Sequence, residues 1–227
     1  MNDNWHSNIS NKNREEIILA GKKVFVGSNF LNVKITDICT LAGISRVTFY
    51  KNFNTMDELI FEVQMDILNN IAQFIKDKSD FTGNGKEEVK RVLYAWVDFA
   101  KEHKEDMKFI VFFDLYYSSY DLNEELKLKY QKFTHEDYNR SLLKFTLAKG
   151  VKDGSLKKDL DTSKTGMYIH QAFMGLLQRM SYTTVATGFE HITLDEIATT
   201  AIDLIISSIE NSSISKAGYV NDNCNIV

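Results

Sequence analysis

Lys34-Ile35-Thr36-Asp37-Ile38-Cys39-Thr40-Leu41-Ala42-Gly43-Ile44-Ser45-Arg46-Val47-Thr48-Phe49-Tyr50-Lys51-Asn52-Phe53 reads as two short helices around a glycine turn. Ile35, Ile38, Cys39 and Ala42 share one face of a helix over about 35–41. Gly43 suits the positive φ of a tight turn. Ser45 is a favoured N-cap and opens a helix over 46–52. Small side chains at Cys39 and Ala42 let the two helices cross closely, and Ile44 fills the space behind the turn. Phe49 and Phe53, one turn apart, anchor the second helix inward and leave Arg46, Val47, Thr48, Tyr50 and Lys51 on its other faces.

A helix in the major groove reads bases with its N-terminal residues, while its flanks hold phosphates. Arg46 suits a bidentate contact to guanine, and Val47 and Thr48 suit a thymine methyl or a base edge. Tyr50 and Lys51 suit phosphate oxygens. With Lys34, Thr36 and Ser45 at the helix starts, these form the candidate DNA-binding set. The plain alternative is a solvated helical hairpin, because surface Arg, Lys and Thr usually face water.

Upstream, residues 1–12 are polar and read as a flexible arm. Asn13 or Ser10 can cap a first helix, Asn13 with Glu16 resembling a capping box, and Ile17, Ile18, Gly21, Val24 and Phe25 follow at helical steps up to a stop at Asn29. Downstream, Thr55-Met56-Asp57-Glu58 caps a long helix to about 76, carried by Leu59, Ile60, Val63, Ile67, Leu68, Ile71 and Ile75. After a loop at Thr82-Gly83-Asn84-Gly85, the spacing predicts helices at about 86–103, 105–120, 122–149, 162–187 and 193–210, the last capped by Thr193 with Glu196. Residues 211–227 read as a frayed tail. No strand-like alternation persists, so the expected class is all-α. An N-terminal helix-turn-helix domain (13–54, motif 34–53) precedes a larger helical body (55–210).

Composition agrees. The 227 residues are 44% hydrophobic and 26% charged, with no proline and eleven glycines, so long helices can run unbroken. No apolar run is long enough to span a bilayer. The start has no basic segment followed by an apolar one, and two cysteines make no disulfide framework, so a cytoplasmic protein is expected. The net charge is −4, yet residues 1–55 hold seven Lys/Arg against four Asp/Glu. A basic front end on an acidic body points to an anionic partner at the N-terminal part.

Arg14 to about Glu62 resembles the DNA-binding domain of the tetracycline-repressor (TetR) family of transcriptional regulators. The match rests on Ile17 and Ile18, Ala20, Phe25, Phe30, Asp37-Ile38, Ala42-Gly43-Ile44-Ser45, Thr48-Phe49-Tyr50, Phe53 and Leu59. The resemblance implies double-stranded DNA with a palindromic operator as one partner, and a small-molecule effector that lowers DNA affinity as another. It also implies a homodimer through the last two helices. Three positions depart from the family pattern: Val47 replaces a small residue or proline, and Met56 replaces a phosphate-binding lysine. Lys34 stands near a position often held by a hydroxyl residue, where its ammonium offers a substitute phosphate contact. Asp37, on the same helix, reads as a local cap or a surface residue and not as a DNA contact.

The body is rich in aromatic residues, with 15 Phe and ten Tyr in the chain. Most such rings pack cores, but this number leaves some to line a cavity. Trp96, Phe99, His103, Phe112, Tyr116, Tyr138, His170, Phe173 and Met174 are the candidate effector contacts. The sequence carries no phosphate-binding loop, dinucleotide fingerprint, nucleophile elbow or paired metal-ligand spacing, and its five histidines are scattered, so no enzyme, cofactor or metal is expected. The competing class is a protein-interaction adaptor that keeps the scaffold without binding DNA.

Overall fold

In the computed structural model, Gly43 adopts φ 65° and closes the first short helix. Its N–H reaches the Thr40 carbonyl at 3.3 Å, and the Ile44 N–H reaches the Cys39 carbonyl at 3.0 Å. This pair of bonds is a Schellman stop, which satisfies carbonyls the helix end would leave open. The described residues are 3–27, 32–79, 82–119, 123–135, 138–182 and 192–211. They form ten helices, named in order α1 (Asp3–Gly27), α2 (Ile35–Ala42), α3 (Arg46–Asn52), α4 (Met56–Lys78), α5 (Gly85–Glu102), α6 (Lys104–Ser119), α7 (Glu124–His135), α8 (Tyr138–Asp153), α9 (Thr162–Tyr182) and α10 (Leu194–Ile209). None of these helices is long and apolar enough to cross a membrane.

Three boundaries differ from the sequence expectation. The first helix starts at Asp3 instead of Asn13, so the stretch read as a flexible arm is helical from its third residue. Nothing between Asp3 and Gly27 stops a helix: there is no proline, and polar residues at 3–12 oppose the conformation only weakly. The helix expected over 122–149 is two helices, α7 and α8, and neither glycine nor proline marks that break. Gly85, read as part of a loop, is the first residue of α5. Asn29, Phe30, residues 183–191 and the tail from 212 lie outside the described residues.

The chain divides into two compact units. The first comprises Met1–Phe74, Asp98–Asp137 and Leu177–Thr184; the second comprises Ile75–Val97, Tyr138–Leu176 and Val185–Val227. The division falls inside α4, α5 and α9. In the first unit α1 packs on α2, α3 and α6. Ile17, Phe25, Ile38, Phe49, Phe53, Leu59, Phe61, Phe109 and Phe113 are buried there. In the second unit Val89, Leu93, Trp96, Leu143, Leu147, Leu156, Phe173, Ile202 and Ile206 form the core. An antiparallel bridge between Leu156 and Glu210 stitches the end of α10 to the segment after α8.

Candidate nucleic-acid interface

Ser45 caps α3 as expected, with its hydroxyl oxygen accepting the Thr48 N–H at 3.1 Å. The Ser45 and Thr48 hydroxyl oxygens are also 3.0 Å apart, so both side chains are engaged in ordering the first turn. Phe49 (0% exposed) and Phe53 (1%) seat the helix from behind. Arg46, Val47, Tyr50 and Lys51 are exposed, Val47 at 66%. Neither Arg46 nor Lys51 forms an ion pair among the described residues. An exposed valine on a seven-residue helix gains nothing from the fold that holds it.

At the start of α2, Lys34 and Thr36 are exposed. Asp37 accepts the Lys34 N–H at 3.0 Å, which makes it a local cap, one of the two roles expected of it. The Thr36 carbonyl accepts the Thr40 hydroxyl at 2.8 Å. At α4, Thr55 accepts the Glu58 N–H at 3.1 Å, while the Glu58 carboxylate reaches past it to the Asn54 N–H at 2.8 Å. Met56, in the first turn of α4, is half-buried.

Cys39 is buried behind this surface, and burial pushes its thiol pKa up against the lowering influence of the nearby Arg46 charge. It is therefore a packing residue held as the neutral thiol.

Two basic residues of the front end are committed inward. Arg14 donates from Nη1 to the Asn52 carbonyl at 2.8 Å, the last carbonyl of α3. Its Nη2 lies 3.0 Å from Glu62, and its guanidinium carbon stands 4.3 Å over the Phe53 ring. Lys22 pairs with buried Asp106 at 2.6 Å. Sequence reasoning missed Arg14, Asn52 and Glu62 as determinants of the α3 pose. Arg14 reads as one more surface cation, and no local spacing links it to a carbonyl 38 residues on.

The candidate effector residues fall into groups inside separate units. In the second unit Trp96 meets His170 edge-on at 5.5 Å and lies nearly parallel to Phe173 at 6.2 Å. The Trp96 Nε1 is buried with no hydrogen-bond partner among the described residues. In the first unit Phe99 stacks on His103 at 4.5 Å, with Phe74 edge-on to both. Tyr116 donates to Asp57 at 2.6 Å, tying α6 to the first turn of α4. Phe112 and Met174 are half-buried. The side chain of Tyr138 lies outside the described residues.

A larger ring cluster, Phe61, Phe113, Tyr117 and Tyr130, was not selected from the sequence; its centroids lie 5.0–6.0 Å apart. Beside it buried Gln64 donates to the Tyr130 hydroxyl at 3.3 Å. A cavity of about 640 Å³ in the first unit is lined by Asn54, Asp57, Glu58, Leu126, Lys129 and Lys132. A second, of about 360 Å³, is lined by Leu19, Lys22, Lys23, Lys101 and His103. Of the candidate effector residues only His103 lines either of them.

No protein-family model matches the chain, and no curated protein matches it. Solved structures do. A regulatory protein of the TetR family from Rhodococcus RHA1 superposes with TM-score 0.67 at 12% identity, over 88% of this chain and 98% of that one. The transcriptional regulator FadR from Bacillus subtilis, solved in complex with stearoyl-CoA, gives 0.66 at 17% identity, over 86% and 99%. The ketosteroid transcriptional regulator KstR2 of Mycobacterium tuberculosis gives 0.61 at 16%, over 88% and 95%. At these identities the likeness is one of fold, and it spans nearly the full length of each relative. The chain has the all-helical fold of the TetR-family transcriptional regulators.

Proposed function

We propose that the protein is a DNA-binding transcriptional repressor that leaves its operator when a small, largely apolar effector binds. The observation that carries this reading is α3, which holds Arg46, Val47, Tyr50 and Lys51 outward while buried Phe49 and Phe53 fix it from behind. Arg46, in the first turn, reads a base edge, and Val47 contacts a thymine methyl. Tyr50, Lys51, Lys34 and Thr36 hold phosphates and set the register. Ser45 and Thr48 order the turn that presents them. Lys34 and Lys51 take over the phosphate contact that Met56 does not make.

Pairing of two copies through α9 and α10 presents two such helices to half-sites related by the same two-fold axis, hence a palindromic operator. The effector acts by preferring the conformation whose recognition helices miss that spacing. Its apolar character is supported by the Trp96, His170 and Phe173 cluster, and by fold relatives that include one solved with stearoyl-CoA and a ketosteroid regulator. The role is regulatory, not enzymatic, and is exercised in the cytoplasm.

Fluorescence anisotropy with duplex from the upstream region of its own gene tests the reading. Arg46→Ala is expected to weaken specific binding by about 1–3 kcal/mol and to relax base preference at one position. Lys51→Ala is expected to weaken all duplexes alike and to lower the salt slope by about one unit. Wild-type protein that prefers no duplex at low salt, or an Arg46→Ala variant that binds as well as wild type, overturns it; the first result returns the scaffold to the adaptor class.

A further inference from the structure

Helix α7 is joined to the recognition helix by three side chains from three helices of the first unit. Lys129 on α7 donates to Glu62 Oε1 on α4. The other carboxylate oxygen of Glu62, Oε2, faces Arg14 Nη2 on α1 at 3.0 Å. Arg14 in turn holds the last carbonyl of α3 and covers the Phe53 ring. The Glu62 side chain is only 16% exposed and sits between two cations, one on each oxygen.

We propose that Lys129 and Glu62 are positioning residues for DNA binding: through Arg14 they set the pose of α3, and they make that pose answer to α7. This rests on the DNA-binding reading above. A guanidinium is a rigid planar fork, so a shift imposed at one nitrogen moves the others. Arg14 cannot follow Glu62 without loosening its bond to the Asn52 carbonyl or leaving the Phe53 face. Lys129 holds Glu62 from the far side. Without that ammonium the carboxylate turns wholly onto Arg14 and draws it away from the end of α3. The pull reaches a helix of seven residues whose other side-chain hydrogen bond at that end, among the described residues, is Asn52 Nδ2 to the Thr48 carbonyl, 2.8 Å. A second link runs the same way, from Tyr116 on α6 to Asp57 in the first turn of α4. The body of the first unit therefore has two polar handles on the segment that follows α3.

The side chain of Lys129 is 53% exposed, so the pair is screened by solvent and a modest effect is expected. Lys129→Met should raise amide hydrogen exchange across 46–53 while exchange across 194–209 is unchanged, and Lys129→Arg should restore it. On duplex, Lys129→Met should weaken binding about two- to five-fold with the salt slope unchanged, since no phosphate contact is lost. Glu62→Gln should weaken it further, and the double variant should bind no worse than Glu62→Gln alone. Unchanged exchange at α3 in Lys129→Met, or strictly additive losses in the double variant, overturns the relay. Should Glu62→Gln not fold, the surface variants Lys129→Met and Lys129→Arg still decide through exchange. Failure of the wild-type protein to bind any duplex sinks the DNA-binding reading, and the exchange arm then judges the relay by itself.

Discussion

Asp66 on α4 is half-buried near two opposite charges, Lys22 and Asp106, and accepts a bond from Asn70 at 3.1 Å. Burial raises its pKa; Lys22 and the Asn70 bond pull it back, and Asp106 adds to the rise. The sign follows from linkage. A carboxyl whose folded pKa is raised favours the fold most below its unfolded value, and that contribution is lost as pH climbs through the folded pKa. At pH 7 Asp66 therefore carries its charge at a cost. Asp66→Asn keeps the shape and an acceptor for Asn70. It should raise Tm at pH 7 by about 1–3 °C and give no gain at pH 3, read by calorimetry at both values. A gain of equal size at both would locate the effect in packing. Arg14 carries the complementary lesson. Seven basic residues in 1–55 predict an anionic partner, but Arg14 is engaged with α3 and Glu62, and Lys22 with Asp106. Residue type gives the charge, and only packing decides which way it faces.

Between elements, the closest approach involving a glycine among the described residues is at the start of α5. A Cβ on Gly85 would lie 2.0 Å from the Gly150 nitrogen and 2.3 Å from its Cα, so α5 and α8 cross backbone to backbone. Asp153 locks the crossing by accepting the Gly85 N–H at 2.7 Å and the Ser155 N–H at 2.9 Å. Burial would raise the Asp153 pKa, but those bonds, the Ser155 hydroxyl and Lys149 outweigh it and hold it low. Gly85→Ala has no flexible side chain to displace and must move a helix. It should destabilise by about 2–3 kcal/mol or more in urea unfolding, and a loss under 1 kcal/mol would mean the crossing is looser than described.

Helix starts with side-chain caps were legible in the sequence: Ser45, Thr55 with Glu58, and Thr193, whose partner Glu196 reaches back to the Thr193 N–H at 2.7 Å. Each is a local code within four residues. The Gly43 stop is local too. The start of α1 and the α7–α8 break carry no such code, and the Gly85 contact pairs positions 65 residues apart.

At the level of the whole molecule, α9 and α10 keep apolar side chains in water: Met167 at 52%, Tyr168 at 63% and Leu204 at 68%. Their wide apolar arcs were visible in the sequence, but periodicity does not say whether a second face meets its own core or another chain. Leu204→Glu should leave the monomer fold intact and shift sedimentation from dimer to monomer at micromolar concentration. An unchanged sedimentation coefficient in that variant would move the pairing surface elsewhere. The placement of the candidate effector residues was the least legible part. Trp96, His170 and Phe173 do come together, whereas Phe99, His103 and Tyr116 belong to the other unit. Aromatic density is a property of composition, and ring placement depends on which helices pack.

The bridge between Leu156 and Glu210 bears on synthesis as well as stability. Lys157 donates to the Ile209 carbonyl and Asn211 to the Ser155 carbonyl, so the second unit is fastened by nearly the last residues described. The first unit likewise draws on Leu177–Thr184. A nascent chain leaving the ribosome can form α1 to α4 early, yet the first unit cannot close before Leu177–Thr184 is made, nor the second before Ile209 to Asn211. Through that interval the apolar faces of the early helices are exposed to chaperones and to neighbouring nascent chains.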